Sequence, residues 1–264
     1  MQRAFLVVAL VAMVAGAVGL ALLRPWWFTP LASNWGSIDQ IILLSLLLTG
    51  LAYAGVNLFL AYSIHRYHKE PAKYLPEEPR LERKLIWLTT LGIVVLLAPG
   101  LYFYNHLVHP PKETFTVEVL AQQWLWSYRY PGPDGKLGRT SIQKASPANP
   151  FGLDLEDPPA RDDILVIGGP LRLPLGEPVL LLLRANDVIH SFYVPEFRIK
   201  MDVVPGMVTR IWFTPTALGQ FQVVCAEYCG IGHARMLGQV LVMKPEEFQA
   251  WIKAQPSVAQ SLGR

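Results

Sequence analysis

Three apolar runs open the chain, and a strand-like pattern fills most of the remainder. Residues 5–23 hold 19 positions without a charge, between Arg3 and Arg24; residues 41–64 hold 24 and residues 85–105 hold 21. At about 1.5 Å of rise per helical residue, each run is long enough to cross a hydrocarbon core of ~30 Å. The first run also fits a signal peptide, with Ala15-Gly16-Ala17 as a small-residue cleavage site; its length favours a retained helix. Behind it, Arg24-Pro25-Trp26-Trp27-Phe28 has the composition of an interfacial belt. Ser45, Asn57, Thr89 and Thr90 are polar but neutral, suited to hydrogen bonds between helices. No histidine falls within 41–64 or 85–105, so neither helix could hold a haem by itself.

From residue 114 the apolar period shortens. Residues 114–120 alternate in part with period two, and further apolar runs lie at 179–183, 209–213, 221–224 and 238–243. Gly and Pro separate them, which predicts an antiparallel sandwich. Residues 131–170 are rich in Gly, Pro and Asp without an apolar period, and read as a long surface insertion. Residues 245–253 read as a short helix, with Pro245 at its start and Phe248 and Trp251 three apart. The expected organisation is a signal peptide or extra membrane helix with an interfacial segment (1–35), a membrane hairpin (36–108), a β domain (109–255) and a C-terminal tail (256–264).

Composition agrees with a membrane part: 52% of residues are hydrophobic and 16% charged, against about a quarter charged in an average soluble chain. The formal charge of +3 is too small to argue for nucleic acid, and no basic run with interleaved aromatics appears. After residue 106, Lys/Arg and Asp/Glu balance at 15 each. The basic excess sits between the second and third apolar runs, at Arg66, Lys69, Lys73, Arg80, Arg83 and Lys84. Positive charge marks the cytoplasmic side, so the hairpin turns in the cytoplasm and everything after about His106 is extracytoplasmic, where thiols meet an oxidising environment. His65 and His68 read as solvated loop residues; His106 and His109 read as interfacial.

The candidate chemistry lies in Cys225-Ala226-Glu227-Tyr228-Cys229-Gly230-Ile231-Gly232-His233-Ala234-Arg235-Met236, a Cys-x3-Cys-x3-His-x2-Met pattern. Two thiols, an imidazole and a thioether form a soft ligand set, which selects copper, zinc or iron–sulfur clusters over magnesium or calcium. The thioether argues against zinc and for a copper electron-transfer site. A disulfide between the two cysteines would leave the histidine and methionine spacing without a purpose. A second imidazole is available upstream, at His190 within Asp187-Val188-Ile189-His190-Ser191-Phe192.

These pieces, with Lys200-Met201-Asp202-Val203-Val204-Pro205-Gly206 between them, resemble in order and chemistry the copper A domain of cytochrome c oxidase subunit II. The resemblance extends more weakly over the hairpin, covering roughly residues 35–255. It implies a membrane-anchored all-β protein whose domain is a cupredoxin-like antiparallel Greek-key β-sandwich. It implies Cys225 and Cys229 as bridging thiolates between two coppers, His190 and His233 as one imidazole ligand each, and Met236 and the backbone carbonyl of Glu227 as weak ligands. The Glu227 carboxylate would help hold a non-redox magnesium at the interface with the catalytic subunit. Gln123-Trp124-Leu125-Trp126-Ser127-Tyr128 is similar to the family's aromatic stretch, which makes Trp124 the point where electrons enter, while Trp126 and Tyr128 fit equally well as core. Asp187 reads either as a group that fixes a ligand or as a turn residue at a strand end.

The function implied is a subunit of a haem–copper terminal oxidase. It would accept electrons from cytochrome c and pass them to haem in subunit I, a separate catalytic subunit that reduces oxygen in a bacterial-type cell membrane. The copper A subunit of a nitric oxide reductase would look alike, a quinol oxidase subunit should lack these ligands, and a membrane-tethered copper carrier would need a more exchangeable site. The sequence departs from the family at Lys84, where many members carry a glutamate three residues before the tryptophan, here Trp87, that opens the second helix of the hairpin; Glu82 is the nearest acid. Asp154, Glu156, Asp157, Asp162 and Asp163, set against Arg161, form a candidate acidic patch for steering a basic donor.

Overall fold

The computed structural model describes residues 2–23, 29–69 and 78–261. The belt at 24–28 and Lys73 of the basic loop lie outside the described residues. Two compact units result, one of helices and one of strands.

The helical unit contains α1 (Gln2–Leu23) and most of α2 (Gly36–Tyr67) and of α3 (Pro79–Val108). All three are long and apolar enough to cross a membrane, and the most apolar window of each is not buried within the chain. Side chains such as Phe5, Leu51, Phe59, Trp87 and Leu101 are exposed. Such surface needs lipid or another subunit as its solvent. The polar residues in these runs do not wait for a neighbouring helix: Ser45, Asn57 and Thr89 donate to the carbonyls of Ile41, Tyr53 and Leu85, four residues back. Glu82 lies in the first turn of α3, where a carboxylate faces the positive end of the helix dipole.

The second unit is a two-sheet sandwich. Its first sheet has the order β3-β2-β1-β5-β8, from β1 (Phe115–Gln122), β2 (Leu125–Tyr130), β3 (Ile164–Ile167), β5 (Val179–Ala185) and β8 (Thr209–Phe213). The second has the order β4-β10-β9-β6-β7, from β4 (Leu171–Pro174), β6 (His190–Val194), β7 (Ile199–Val203), β9 (Gly219–Cys225) and β10 (Leu237–Met243). Pairing is mostly antiparallel, with β1–β5 and β4–β10 parallel. Three short helices complete the unit: α4 (Pro158–Asp162), α5 (Pro245–Lys253) and α6 (Val258–Ser261).

Strand β5 shows why the sheets close on each other. Val179, Leu181, Leu183 and Ala185 are buried while the residues between them are less so, the alternation that a pleated strand imposes. Strand β1 is instead buried on both faces, because the 131–170 stretch covers its outer side. Leu120 packs there with Phe151, Leu153 and Ala160 of that stretch and with Val258 of α6. This stretch is therefore no free surface insertion: it carries core residues singly, without a period, and its last residues enter the first sheet as β3 beside β2.

Under it lies a buried ion cluster. Glu118 is 2% exposed and Asp163 0%. Arg129 joins them, with Nε 2.5 Å from Glu118 Oε2 and Nη1 2.5 Å from Asp163 Oδ2. Arg184 Nη1 donates to Glu118 Oε1 at 2.6 Å. Two cations thus face two carboxylates out of water, the pairing that buried charge requires.

Residues 29–36 belong to the sandwich, although the sequence grouped 29–35 with the first membrane run. The Ala32 N–H donates to Glu196 O at 2.8 Å, and Thr216 N–H donates to Ala32 O at 2.9 Å. Ser33 Oγ donates to Phe197 O at 2.7 Å. Trp35 is buried against Trp212 and His106, with ring centroids 4.6 and 5.6 Å away. His106 thereby sits in an aromatic corner of this unit.

Candidate metal centre

Four chain segments meet at one end of the sandwich. His190 opens β6, Cys225 closes β9, Met236 immediately precedes β10, and the loop from 226 to 235 carries Cys229 and His233. Phe192 stands opposite Cys225 in the β6–β9 register, so the strand pairing itself brings His190 to the cysteine loop. The base of that loop is closed by Cys225 N–H donating to Met236 O at 3.3 Å and Ala226 N–H donating to Ser191 O at 3.0 Å.

The donor atoms converge. Cys225 Sγ and Cys229 Sγ are 3.7 Å apart, far beyond the ~2.05 Å of a disulfide, and both thiols are free. His190 Nδ1 is 3.2 Å from Met236 Sδ and 3.9 Å from Cys225 Sγ. Cys229 Sγ is 3.5 Å from His233 Nδ1 and 3.7 Å from Met236 Sδ. The Glu227 carbonyl oxygen is 3.2 Å from Cys225 Sγ. The cluster thus brings together the two thiols, the two imidazoles, the thioether and the Glu227 carbonyl that the sequence singled out. The Glu227 carboxylate engages only locally, accepting from Tyr228 N–H at 3.3 Å. Burial pushes the Cys229 thiol up to about 11, with Cys225 beside it adding to the shift. Thiols held so close are stable as thiolates only with a cation between them, which is what a soft metal supplies.

Asp187 decides which histidine nitrogen faces the sulfurs. Its Oδ1 lies 2.9 Å from His190 Nε2 and accepts Val188 N–H at 2.7 Å, while Oδ2 accepts Gln123 N–H at 2.6 Å. Burial works against this carboxylate's charge, but the hydrogen bonds from His190, Val188 and Gln123 outweigh it and hold its pKa below the usual value. A carboxylate at Nε2 keeps the proton there and leaves the Nδ1 lone pair for a metal.

The neighbouring hairpin packs on the loop. Trp124 Nε1 donates to Cys229 O at 3.2 Å, and Gln123 Nε2 donates to the same oxygen at 2.8 Å. Trp124 remains 38% exposed. It fits because Gly232 has no Cβ: one placed there would stand 2.2 Å from the indole Cδ2. Gly230, at φ +115°, occupies backbone space that L side chains avoid. Trp126 and Tyr128 are buried, Trp126 edge-on to Phe192 at 5.3 Å, so both are core. Gln123 carried no chemical signal of its own in the sequence; only its place beside Trp124 pointed to it.

Of the five acids expected to form a patch at 154–163, three are paired with cations. Asp154 pairs with Lys144 at 2.5 Å and Arg139 at 3.7 Å, and Asp157 with Arg139 at 3.2 Å. Asp163 is buried against Arg129. The cations that neutralise these acids lie outside the short window in which the patch was read.

Membrane helices followed by a two-sheet sandwich with a soft donor cluster at one end define a membrane-anchored cupredoxin-like protein, and the His190, Cys225 and Cys229 group fits a copper site. The family model described as cytochrome c oxidase subunit II, periplasmic domain, matches residues 115–243. The chain is 45% identical over 252 residues to the alternative cytochrome c oxidase subunit 2 of Bradyrhizobium diazoefficiens, covering 94% of this chain and 91% of that protein. It is 32% identical to cytochrome c oxidase subunit 2 of Cereibacter sphaeroides over 75% of this chain and 69% of the relative. The crystal structure of the periplasmic domain of cytochrome oxidase subunit II of Bradyrhizobium japonicum is similar at a TM-score of 0.41 and 28% identity, over 55% of this chain and 95% of that one. The chain belongs to the cytochrome c oxidase subunit II family.

Proposed function

We propose that this chain is the electron-accepting subunit of a haem–copper terminal oxidase in a bacterial-type membrane. It takes single electrons from a cytochrome c at a dinuclear copper A centre and passes them to haem in a separate catalytic subunit, where oxygen is reduced. The observation that carries the reading is a pair of adjacent thiols, 3.7 Å apart, each within 4 Å of a different imidazole nitrogen. When bound, the copper pair supplies a reversible one-electron store. Cys225, Cys229, His190, His233, Met236 and the Glu227 carbonyl would hold it.

The rest of the work falls to the protein. Asp187 fixes the His190 ring, the β6–β9 pairing sets that ring beside Cys225, and the β9–β10 pairing fixes the two ends of the loop, so the donors have little room to rearrange between redox states. Burial of His190, Cys225, Cys229 and Met236 excludes water. Trp124 presents an exposed indole edge at the surface and ties its N–H to the Cys229 backbone, giving a short route inwards. The Glu227 carboxylate would hold magnesium at the contact with the catalytic subunit.

Metal analysis and electron spin resonance of the intact complex test the reading. Two coppers per chain sharing one unpaired electron, lost in Cys229→Ser, are expected. One copper per chain, or a spectrum localised on a single nucleus, would overturn it. Oxygen and nitric oxide consumption by the same complex identify the terminal acceptor, and oxygen is the outcome expected.

A further inference from the structure

We infer that the 131–170 stretch braces the metal centre from outside, and that Asn186 is the positioning residue through which it does so. This rests on the reading that His190 holds copper with its ring set by Asp187. The turn that carries Asp187 has little backbone support. β5 ends at Ala185 and β6 begins at His190, so residues 186–189 cross from one sheet to the other. Pairing of β5 with β8 stops at Leu183, and with β1 at Ala185. Both ladders have run out where the turn begins. Asp187 ties the turn inwards, to His190 and to the Gln123 N–H. On the other side Asn186 donates from Nδ2 to Pro150 O at 2.7 Å.

Pro150 belongs to a turn with no slack. Asn149 Oδ1 accepts Leu153 N–H at 2.9 Å, and its Nδ2 donates to Leu153 O at 3.1 Å. Gly152 sits at φ +65°, and a Cβ there would stand 2.1 Å from Ser141 O. Phe151 is buried against Leu120 of β1. The end of β5 grips this turn twice. Arg184, two residues before Asn186 and so on the same face, donates from Nη1 to Thr140 Oγ1 at 2.7 Å and reaches Phe151 O at 3.5 Å. Consecutive carbonyls, of Pro150 and Phe151, therefore face alternate side chains of one strand end. The Asn186 amide has one orientation, because a carbonyl acceptor requires its NH2. Among the described residues its buried Oδ1 receives no hydrogen bond, so the grip on Pro150 anchors this side chain. Losing that grip frees the turn that aims Asp187 at His190.

The test uses the intact complex in detergent, and the metal-free full chain for amide exchange. Asn186→Leu keeps the branched shape of the side chain and removes the donor. Gly152→Ala shifts the acceptor and leaves Asn186 and every candidate ligand untouched. Each should speed copper loss to a chelator about threefold to tenfold, the effect of about one hydrogen bond. Each should also change the visible and electron spin spectra, and raise amide exchange at Gln123 and Val188, whose N–H groups Asp187 holds. On an Asp187→Asn background, Asn186→Leu should add less than about twofold, because a residue that acts through Asp187 has nothing left to position. Wild-type copper retention and spectra in both variants, or the full additional loss on the Asp187→Asn background, would overturn the brace. Should Asn186→Leu fail to assemble, Gly152→Ala decides alone. Absence of copper from the wild-type complex would instead remove the proposed function, and amide exchange at Gln123 and Val188 would then decide the brace by itself.

Discussion

Replacing Asp187 by Asn removes one charge and changes almost no volume, yet the structure makes it a severe substitution. The carboxylate accepts on both oxygens: His190 Nε2 at 2.9 Å and Val188 N–H at 2.7 Å on one, Gln123 N–H at 2.6 Å on the other. An amide has one oxygen and one NH2. If its oxygen keeps His190, its NH2 confronts the Gln123 N–H, and the hairpin that carries Trp124 must move. If its oxygen keeps Gln123, its NH2 confronts His190 Nε2, and relief comes from moving the ring proton to Nδ1, the atom that faces the sulfurs. His190 is fully buried, so water cannot step in. Loss of a carboxylate that supports a metal-binding histidine costs about 10–100-fold in metal affinity, or ~1.4–2.7 kcal/mol. Copper retention by the intact complex against a competing chelator measures it, with the visible spectrum as a second readout. Asp187→Ala should fall in the same range, since it leaves the buried Nε2–H without an acceptor at about 1–3 kcal/mol. Wild-type copper retention and an unchanged spectrum in Asp187→Asn would refute the reasoning, and His190 would then be held by strand pairing alone.

Trp124→Phe should slow reduction of the centre by cytochrome c while leaving copper content intact, read by stopped flow and metal analysis; wild-type kinetics would reduce the tryptophan to packing. Gly232→Ala places a Cβ within 2.2 Å of the Trp124 ring and should displace the indole, with slowed electron uptake and altered tryptophan fluorescence as the readouts. Arg129→Met leaves Glu118 and Asp163 buried without their shared cation and should cost about 3–5 kcal/mol, measured as a lowered unfolding midpoint of the full chain in detergent.

The sequence alone determined the elements whose signal is local. Uninterrupted apolar length sets the three membrane helices, because a helix satisfies its own backbone in lipid and needs no partner to be recognised. The helix at Pro245–Lys253 follows from Pro245 and the Phe248–Trp251 spacing for the same reason. The ligand types were also legible, since soft donors crowded into one loop have little other use.

Tertiary structure decided what depends on residues far apart. β3 was hidden because a four-residue strand at the end of a Gly- and Pro-rich stretch acquires its meaning only from pairing with β2. Phe151, Leu153 and Ala160 are core because β1 offers them its outer face, a fact no period within their own stretch records. The acid-rich run looked like a charged face until Arg129, Arg139 and Lys144 folded onto it. His190 lies 35 residues from Cys225, and only the β6–β9 register sets them side by side. The chain thus spells out its soft donors in its own letters, whereas their distances, the proton on His190 and the exposure of Trp124 belong to the sandwich, because burial and orientation are properties of neighbours that sequence order does not list.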